Sequence, residues 1–585
     1  MPQTLTRWLS FLASSRLRPR SSDTASVNST APLAWHPAWL MVLVSAWLAT
    51  VCNAALWREV TALPSGGGLH GWGFVLAFAV IVAAGNVAVL SLLAWGRATK
   101  WVLGSFVIMA AFGSYFMLNY GIVIDASMLT NVLQTDVREA GDLLNWRLPA
   151  TVVALAAPPL WWLWRYPVRS LGVVRHLAHN AGLLTAAVLI LVAALLLVFQ
   201  DFASTMRNHT QLRYLINPLN SVYALVHLVS KPLRMDTSTL LPLGRDAQLG
   251  ASYAQQAKPP LLVLVLGETA RSDHFGLNGY ERNTTPLLSS RTDLVSARNA
   301  WSCGTSTAAS VPCMFSHLGR EGFEGRKANF ESLMDVLHHA GLAVLWIDNQ
   351  SGCKGVCDRV AQASTSRDTD PDWCPQGECP DTIMLKDLDA RIAALPAEQR
   401  ARGTVVVMHQ MGSHGPAYFK RSTKAHKRFE PECTSNALQE CGQAQVVNAY
   451  DNSIVATDAF LHATIEWLQD RSGQASTAMM YVSDHGESLG EGNLYLHGLP
   501  YAIAPDVQKH VPWITWLSPA MQTRNHLQTS CLQQELAQKR ITHDAYFHSV
   551  LGLMNVQTTA YQGAQDIYAL CRRQQNAQTM PATTS

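Results

Sequence analysis

Before residue 201 the chain carries five apolar runs, 37–56, 72–95, 101–124, 148–164 and 181–199, and none holds an Asp, Glu, Lys or Arg within its span. A bilayer crossing needs about 20 mostly apolar residues, so the runs predict five transmembrane helices. Runs bare of ionisable groups read as anchor or scaffold, because transport paths place such groups inside the membrane. The fourth run is short and contains Pro158-Pro159, so its ends are the least sharply marked.

Basic residues set the orientation. Arg7, Arg16, Arg18 and Arg20 precede the first run, Arg97 and Lys100 lie between the second and third, and Arg165, Arg169 and Arg175 between the fourth and fifth. Those regions share one side, expected to be cytoplasmic. An odd number of crossings then delivers everything after Phe199 to the outside. Residues 1–34 lack an apolar stretch with a cleavage site and read as a polar cytoplasmic tail without a fold of its own, not as a cleaved signal. A net charge of +3 with no long basic run gives no reason to expect nucleic acid as a partner.

Cysteine placement agrees with export. Of 11 cysteines, Cys52 lies in the first run and ten follow residue 300. Cys303/Cys313, Cys353/Cys357, Cys374/Cys379 and Cys433/Cys441 are close in sequence, and Cys531 and Cys571 remain as a fifth pair. An even set in an exported domain reads as disulfides, paired here by proximity alone. A cysteine zinc site is the competing reading, but the repeated Cys-x2-Cys framework it favours is missing.

The expected organisation is a membrane domain at 35–200, a bridging segment at 201–258 with an amphipathic stretch at 219–231, and an exported domain at 259–585. In that domain 261–266 is a continuous apolar run too short to cross a membrane, so it reads as a buried parallel strand. Similar strands are predicted at 342–347, 404–409 and 479–483, with helical patterns at 330–340 and 444–468. Alternating strands and helices predict an α/β domain with a mostly parallel sheet. Ligands in such sheets gather outside the carboxyl ends of the strands.

Those ends carry the unusual chemistry. Glu268 follows the first strand in "GET"; Asp484, His485 and Glu487 follow another in "SDHGE"; His409 and His414 stand in "HQMGSHGP", and His497 in "YLHGLP". A carboxylate, an Asp-His pair and one hydroxyl make a four-donor set that suits tetrahedral zinc, with manganese left open by ligand type. The stretch "WSCGTSTAASVPC" then acquires a purpose. Its five hydroxyls, Ser302, Thr305, Ser306, Thr307 and Ser310, sit in a short loop, and a nearby cation turns an alcohol from a poor nucleophile into a usable one. Spacing does not choose among them.

"GETAR", "CGTSTAASVPC", "HQMGSHGPAYFKR", "SDHGESLGE" and "YLHGLP" together resemble the lipid A phosphoethanolamine transferases of Gram-negative bacteria, a family of the alkaline-phosphatase/sulfatase-like superfamily that includes polymyxin-resistance enzymes. The resemblance spans the five runs and the exported domain. It implies a bacterial inner-membrane protein with a periplasmic catalytic domain, acting as a monomer. It also implies one zinc ion with room for a second, phosphatidylethanolamine as donor and lipid A as acceptor.

Motif by motif, the resemblance implies Thr307 as nucleophile, Glu268, Thr307, Asp484 and His485 as metal ligands, and His414 and His497 beside the phosphoryl group. Lys354 in "CKGVCD" matches a lysine associated with substrate phosphate, and Glu321 a further substrate-site acid in a loop of different length. "NVLQTDVRE" matches a lipid-binding segment, giving Asn131, Thr135 and Glu139. Their i, i+4, i+8 spacing places all three on one face of a helix. Rival readings are a phosphoglycerol transferase or a hydrolase of the same superfamily, and a non-catalytic membrane sensor. The sulfatase signature C-x-P-S-R is absent, because Cys303 is followed by Gly-Thr-Ser.

Overall fold

Every residue from Leu261 to Leu266 is apolar because the strand they form is covered on both faces. In the computed structural model, which describes residues 34–63, 68–134, 137–230, 235–255, 258–374 and 378–572, this strand is the centre of an eight-stranded sheet. Its strands are β1 (Pro260–Gly267), β2 (Leu294–Trp301), β3 (Ala343–Asp348), β4 (Ala361–Ser364), β5 (Thr404–His409), β6 (Ser476–Ser483), β7 (His510–Leu517) and β8 (Ile541–Thr542). They lie in the order β8-β2-β7-β6-β1-β5-β3-β4.

From β6 across β1, β5 and β3 to β4 all neighbours are parallel. β7 runs antiparallel to both β6 and β2. Leu262, Leu264 and Leu266 of β1 point into a core shared with the helices Leu333–His339 and Asp544–Leu553. Leu261, Val263 and Val265 point into the other core, against the long helix Gln443–Asp470. The two-residue alternation thus seats helices on both faces.

The four strands and two helices expected from sequence are all present, 404–409 with the expected ends and the others with at least one end moved by one to three residues. β2 and β7 are additional. The bridges Cys303–Cys313, Cys353–Cys357, Cys374–Cys379, Cys433–Cys441 and Cys531–Cys571 match the pairing by proximity, and Cys52 is a buried free thiol.

Among the described residues four helices are long and apolar enough to cross a membrane: Pro37–Thr61, Gly68–Leu93, Gly96–Asn119 and Val173–Leu197. The other expected span forms the helix Arg147–Arg165, packed against Thr99–Asn119. Its Pro149, Pro158, Pro159 and three tryptophans lower its hydropathy, so it falls outside that set of four. The chain is therefore a multi-pass membrane protein. The amphipathic stretch becomes the helix Leu219–Val229, with Tyr223, Val226 and Val229 exposed.

The two halves share packing. Tyr120, Ile122, Met128 and Leu148 belong to the same core as Val263 and Tyr450. Tyr495 N–H donates to Tyr120 O at 2.9 Å, two residues ahead of His497.

Candidate active site

Three adjacent parallel strands, β6, β1 and β5, end at the same edge of the sheet, and their next residues are the ones with chemistry. Glu268 follows β1, Asp484 and His485 follow β6, and His409 closes β5. Gly412 turns the chain after β5 with φ +53°, and a Cβ there would stand 2.7 Å from Glu268 O. Only glycine permits that approach, and it presses the His409–His414 loop onto Glu268, whose carbonyl accepts from Ser413 N–H at 3.0 Å.

Thr307 is the first residue of the helix Thr307–Met314. Its Oγ1 donates toward the Glu268 carboxylate, 3.1 and 3.2 Å from the two oxygens, and lies 3.4 Å from His485 Nε2. His485 Nε2 is also 3.4 Å from Glu268 Oε1 and 3.3 Å from Asp484 Oδ2. Its Nδ1 stands 2.9 Å from Gly486 O, which can only accept, so Nδ1 carries the proton and Nε2 presents its lone pair to the cluster. Burial pushes the His485 imidazole down to about 4, which keeps it neutral near pH 7.

Three of the other four hydroxyls have different partners. Thr305 donates to Leu499 O at 2.6 Å, Ser302 to Gly304 O at 2.6 Å, and Ser310 to Asp484 O at 2.5 Å. Ser306 precedes the helix, its carbonyl accepting from Ser310 N–H at 2.8 Å. One oxygen reaches the carboxylates, and those of Thr305, Ser302 and Ser310 shape the loop. The helix start adds its own positive end beside Thr307.

Donor atoms of Glu268, Asp484 and His485 all lie within 4.8 Å of one another, on fully buried residues. Asp484 Oδ1 accepts from Thr269 and His485 N–H, but its buried Oδ2 accepts no hydrogen bond, and among the described residues no Lys or Arg pairs with it. A buried carboxylate in that condition is costly unless a cation sits against it. Two carboxylates, one imidazole nitrogen and a hydroxyl fit a zinc-type site.

Around this cluster stand groups that motif reading only partly anticipates. His497 is centred 4.3 Å from His485 and 5.7 Å from His414. His497 Nδ1 lies 3.1 Å from Glu487 Oε2, and burial pushes the Glu487 carboxyl up to about 8. Gln350 donates to Glu268 Oε2 at 3.2 Å. His409 donates from Nδ1 to Asp348 at 3.0 Å, with Nε2 3.9 Å from Glu268. His543 donates from Nε2 to Ser483 O at 3.0 Å and accepts from Cys303 N–H at 3.2 Å. Gln350 and His543 carry no local motif.

Lys354 reaches across to the membrane half: its Nζ donates to Gln134 O at 3.2 Å, at the end of the helix Ala126–Gln134. Asn131 lies on that helix. Thr135 and the Glu139 side chain lie outside the described residues. Glu321 is exposed on the helix Gly319–Gly325.

A sulfatase family model matches residues 260–556, and a model for phosphoethanolamine transferase EptA/EptB matches residues 82–233. The chain is 37% identical over 542 residues to phosphoethanolamine transferase EptA of Escherichia coli strain K12, covering 92% of this chain and 97% of that one. It is 38% identical over 499 residues to the phosphatidylethanolamine transferase Mcr-1 of Escherichia coli, covering 83% and 89%. The integral membrane lipooligosaccharide phosphoethanolamine transferase A of Neisseria meningitidis superposes with a TM-score of 0.86 at 34% identity, over 92% of this chain and 99% of that one. Likeness of this extent, across the membrane helices as well as the sheet, means that the chain belongs to the phosphoethanolamine transferase family.

Proposed function

We propose that the protein moves phosphoethanolamine from phosphatidylethanolamine to a lipid A phosphate in two displacements at Thr307. The observation that carries this reading is the Thr307 hydroxyl, 3.1 Å from Glu268 and 3.4 Å from His485 at the first turn of a helix. The names of two relatives support the substrates: one is a phosphatidylethanolamine transferase and one acts on lipooligosaccharide.

In the first displacement Thr307 Oγ1 attacks the donor phosphorus, the bond from phosphorus to the glycerol oxygen breaks, and diacylglycerol leaves. Thr307 gives up its hydroxyl proton and the glycerol oxygen gains one, so the step balances. In the second, a lipid A phosphate oxygen attacks the phosphoethanolamine on Thr307, the bond to Oγ1 breaks, and Oγ1 regains the proton that the lipid A phosphate gives up. This is covalent catalysis with ping-pong order. Glu268, Thr307, Asp484 and His485 would hold a zinc ion, which when bound favours the Thr307 alkoxide and polarises the phosphoryl oxygen. His414 and His497, grouped beside His485, are the proton donors and acceptors. Lys354, Asn131, Thr135, Glu139 and Glu321 are assigned to substrate, and the Lys354 contact to the Ala126–Gln134 helix supports that for Lys354. An amine added to a lipid A phosphate lowers its negative charge, and with it the attraction for polycations such as polymyxin.

This reading carries a topology of five spans, with Arg147–Arg165 as the fourth. Residues 35–200 are then in the membrane, 201–258 bridge, and 259–585 form a periplasmic domain of an inner-membrane monomer. The test is to incubate the full-length protein with phosphatidylethanolamine alone and weigh the Thr307 peptide. A phosphoethanolamine adduct, lost in Thr307→Ala, is the expected result. Full transfer to lipid A by Thr307→Ala would overturn the mechanism, and a phosphoglycerol adduct would overturn the donor.

A further inference from the structure

His497 directly follows a two-stranded antiparallel ribbon, Ser488–Leu489 with Tyr495–Leu496, that starts immediately after Glu487. The residues on either side of His497 are both left-handed, Leu496 at φ +64° and Gly498 at φ +91°. A leucine in that region is strained and persists only where its surroundings impose the conformation. Gln508 of the exported domain does part of this. It donates from Nε2 to Leu496 O at 3.1 Å and accepts from Leu499 N–H at 3.3 Å.

The membrane half meets the ribbon on both sides of His497. Tyr120 O accepts from Tyr495 N–H at 2.9 Å. Gly121, left-handed at φ +71°, lets Leu494 approach so closely that a Cβ there would stand 3.0 Å from Leu494 Cδ1. After the histidine, Met128 of the helix Ala126–Gln134 rests on Gly498, where a Cβ would stand 2.6 Å from Met128 Cε. Met128 is buried in one core with Tyr120, Tyr495 and Leu496. An unbranched thioether can fill the space over a glycine that has no side chain of its own.

The helix that carries Met128 is pinned at both ends. At its start Asp125 Oδ1 accepts from Met128 N–H at 2.9 Å and from Ser127 Oγ at 2.8 Å. At its end Gln134 O accepts from Lys354 Nζ at 3.2 Å. Between the two it carries Asn131 and packs against the helix that begins with Thr307. One element thus touches the nucleophile's helix, the Lys354 loop and, through Met128, the backbone beside His497.

We propose that Met128 is a positioning residue for transfer: seated on Gly498, it holds the His497 imidazole beside His485 and ties that position to the helix that carries Asn131. The inference rests on the reading of His497 as a proton donor and acceptor at Thr307.

The test compares full-length wild type with Met128→Ala, Met128→Leu, Gly498→Ala and the Met128→Ala/Gly498→Ala double variant. Two quantities are measured, amide exchange over residues 494–499 and initial rates of transfer from phosphatidylethanolamine to lipid A. Met128→Ala should speed exchange and lower kcat about tenfold, with donor KM within about twofold because Asp125 and Lys354 still hold the helix. Met128→Leu, of similar volume, should keep at least about half the rate. A Cβ on Gly498 would enter the space that Met128 gives up, so the double variant should lose less than the product of the two single losses. Gly498→Ala reaches the same contact from the other side and decides the matter if Met128→Ala does not fold. An unchanged kcat in folded Met128→Ala, with or without faster exchange, would overturn the inference. So would a loss confined to donor KM, which would make Met128 part of the substrate surface. Exchange is read without substrate, so failure of the transfer reading, seen as no Thr307 adduct in the wild type, is distinguished from failure of this one.

Discussion

Arg421 and Asp142 form an enclosed ion pair, Nη2 to Oδ2 2.7 Å, between the exported domain and the helix Val137–Leu143 of the membrane half. The same guanidinium donates from Nε to His414 O at 2.9 Å and from Nη1 to Glu378 at 2.6 Å. Lys420 adds a second bond to Asp142 at 2.7 Å. The carboxylate of a membrane-side loop is thus one side chain away from the backbone of a candidate active-site histidine.

Removing one partner of a buried pair costs about 3–5 kcal/mol when the other charge is left alone. Here Glu378 still neutralises part of Arg421, so Asp142→Ala should cost less, about 2 kcal/mol. Amide exchange around residues 410–423 should rise, and transfer should fall at least about fivefold because His414 loses its anchor. Unchanged exchange at His414 with a normal rate would mean the pair only fastens the two halves together.

His543 ties the hydroxyl loop to the end of β6, through Cys303 N–H on one nitrogen and Ser483 O on the other. Burial pushes its imidazole down to about 3, so it stays neutral throughout physiological pH and acts by position, not by proton transfer. His543→Ala should lower kcat about a hundredfold with little change in donor KM, as expected when a nucleophile shifts by about 1 Å. His543→Gln, which can donate and accept, should recover part of that loss. A pH–rate profile of unchanged shape completes the expectation, since a general base at this position would remove one limb.

The half of the sheet that builds the site was legible because its strands are buried on both faces, so 261–266, 404–409 and 479–483 stand out as apolar runs. β2 was not, since Arg298 and Asn299 interrupt its pattern. β7 was hidden by Pro512, which argues against a central strand. It is accommodated where the pairing with β2 shifts register between Val511 and Trp513. Glu268, Asp484 and His485 were found because they follow legible strands directly. His543 and Gln350 lie far away in sequence and are brought in only by tertiary packing. Nothing local separates Thr307 from Thr305; the fold does, by committing Thr305 to Leu499 O.

Asp458, on the helix Gln443–Asp470, supplies a pH dependence away from the site. Burial pushes its carboxyl up to about 6, against the hydrogen bonds it accepts from Leu288 and Leu287 N–H. The folded value lies above the unfolded one, so the charged form is disfavoured in the fold. Stability from this group is intact below about pH 4 and falls as pH rises to about 6, by about 3 kcal/mol. Carboxylates held low, such as Asp348 at about 2, work in the opposite direction. The clean readout is therefore the difference between Asp458→Asn and wild type. The variant's melting temperature should gain on wild type between pH 4 and pH 7, and a constant difference would contradict the assignment.

Metal removal should separate two effects at Asp484. On the proposed reading Asp484 is a ligand, and the bound cation contributes stability by mass action, about 4 kcal/mol at a thousandfold excess over Kd. Stripping the wild type with a chelator should then lower the melting temperature by about 6 °C, restored by zinc. Without the cation, Glu268 and Asp484 are two acids in one fully buried site, and Asp484 Oδ2 has no hydrogen bond. Neutralising one of them relieves like-charge crowding. Asp484→Asn should therefore melt below the metal-loaded wild type but at or above the stripped wild type, and it should be insensitive to chelator. A variant that melts well below the stripped protein would mean the carboxylate serves the fold by itself, through the Thr269 and His485 N–H bonds, and not chiefly as a ligand.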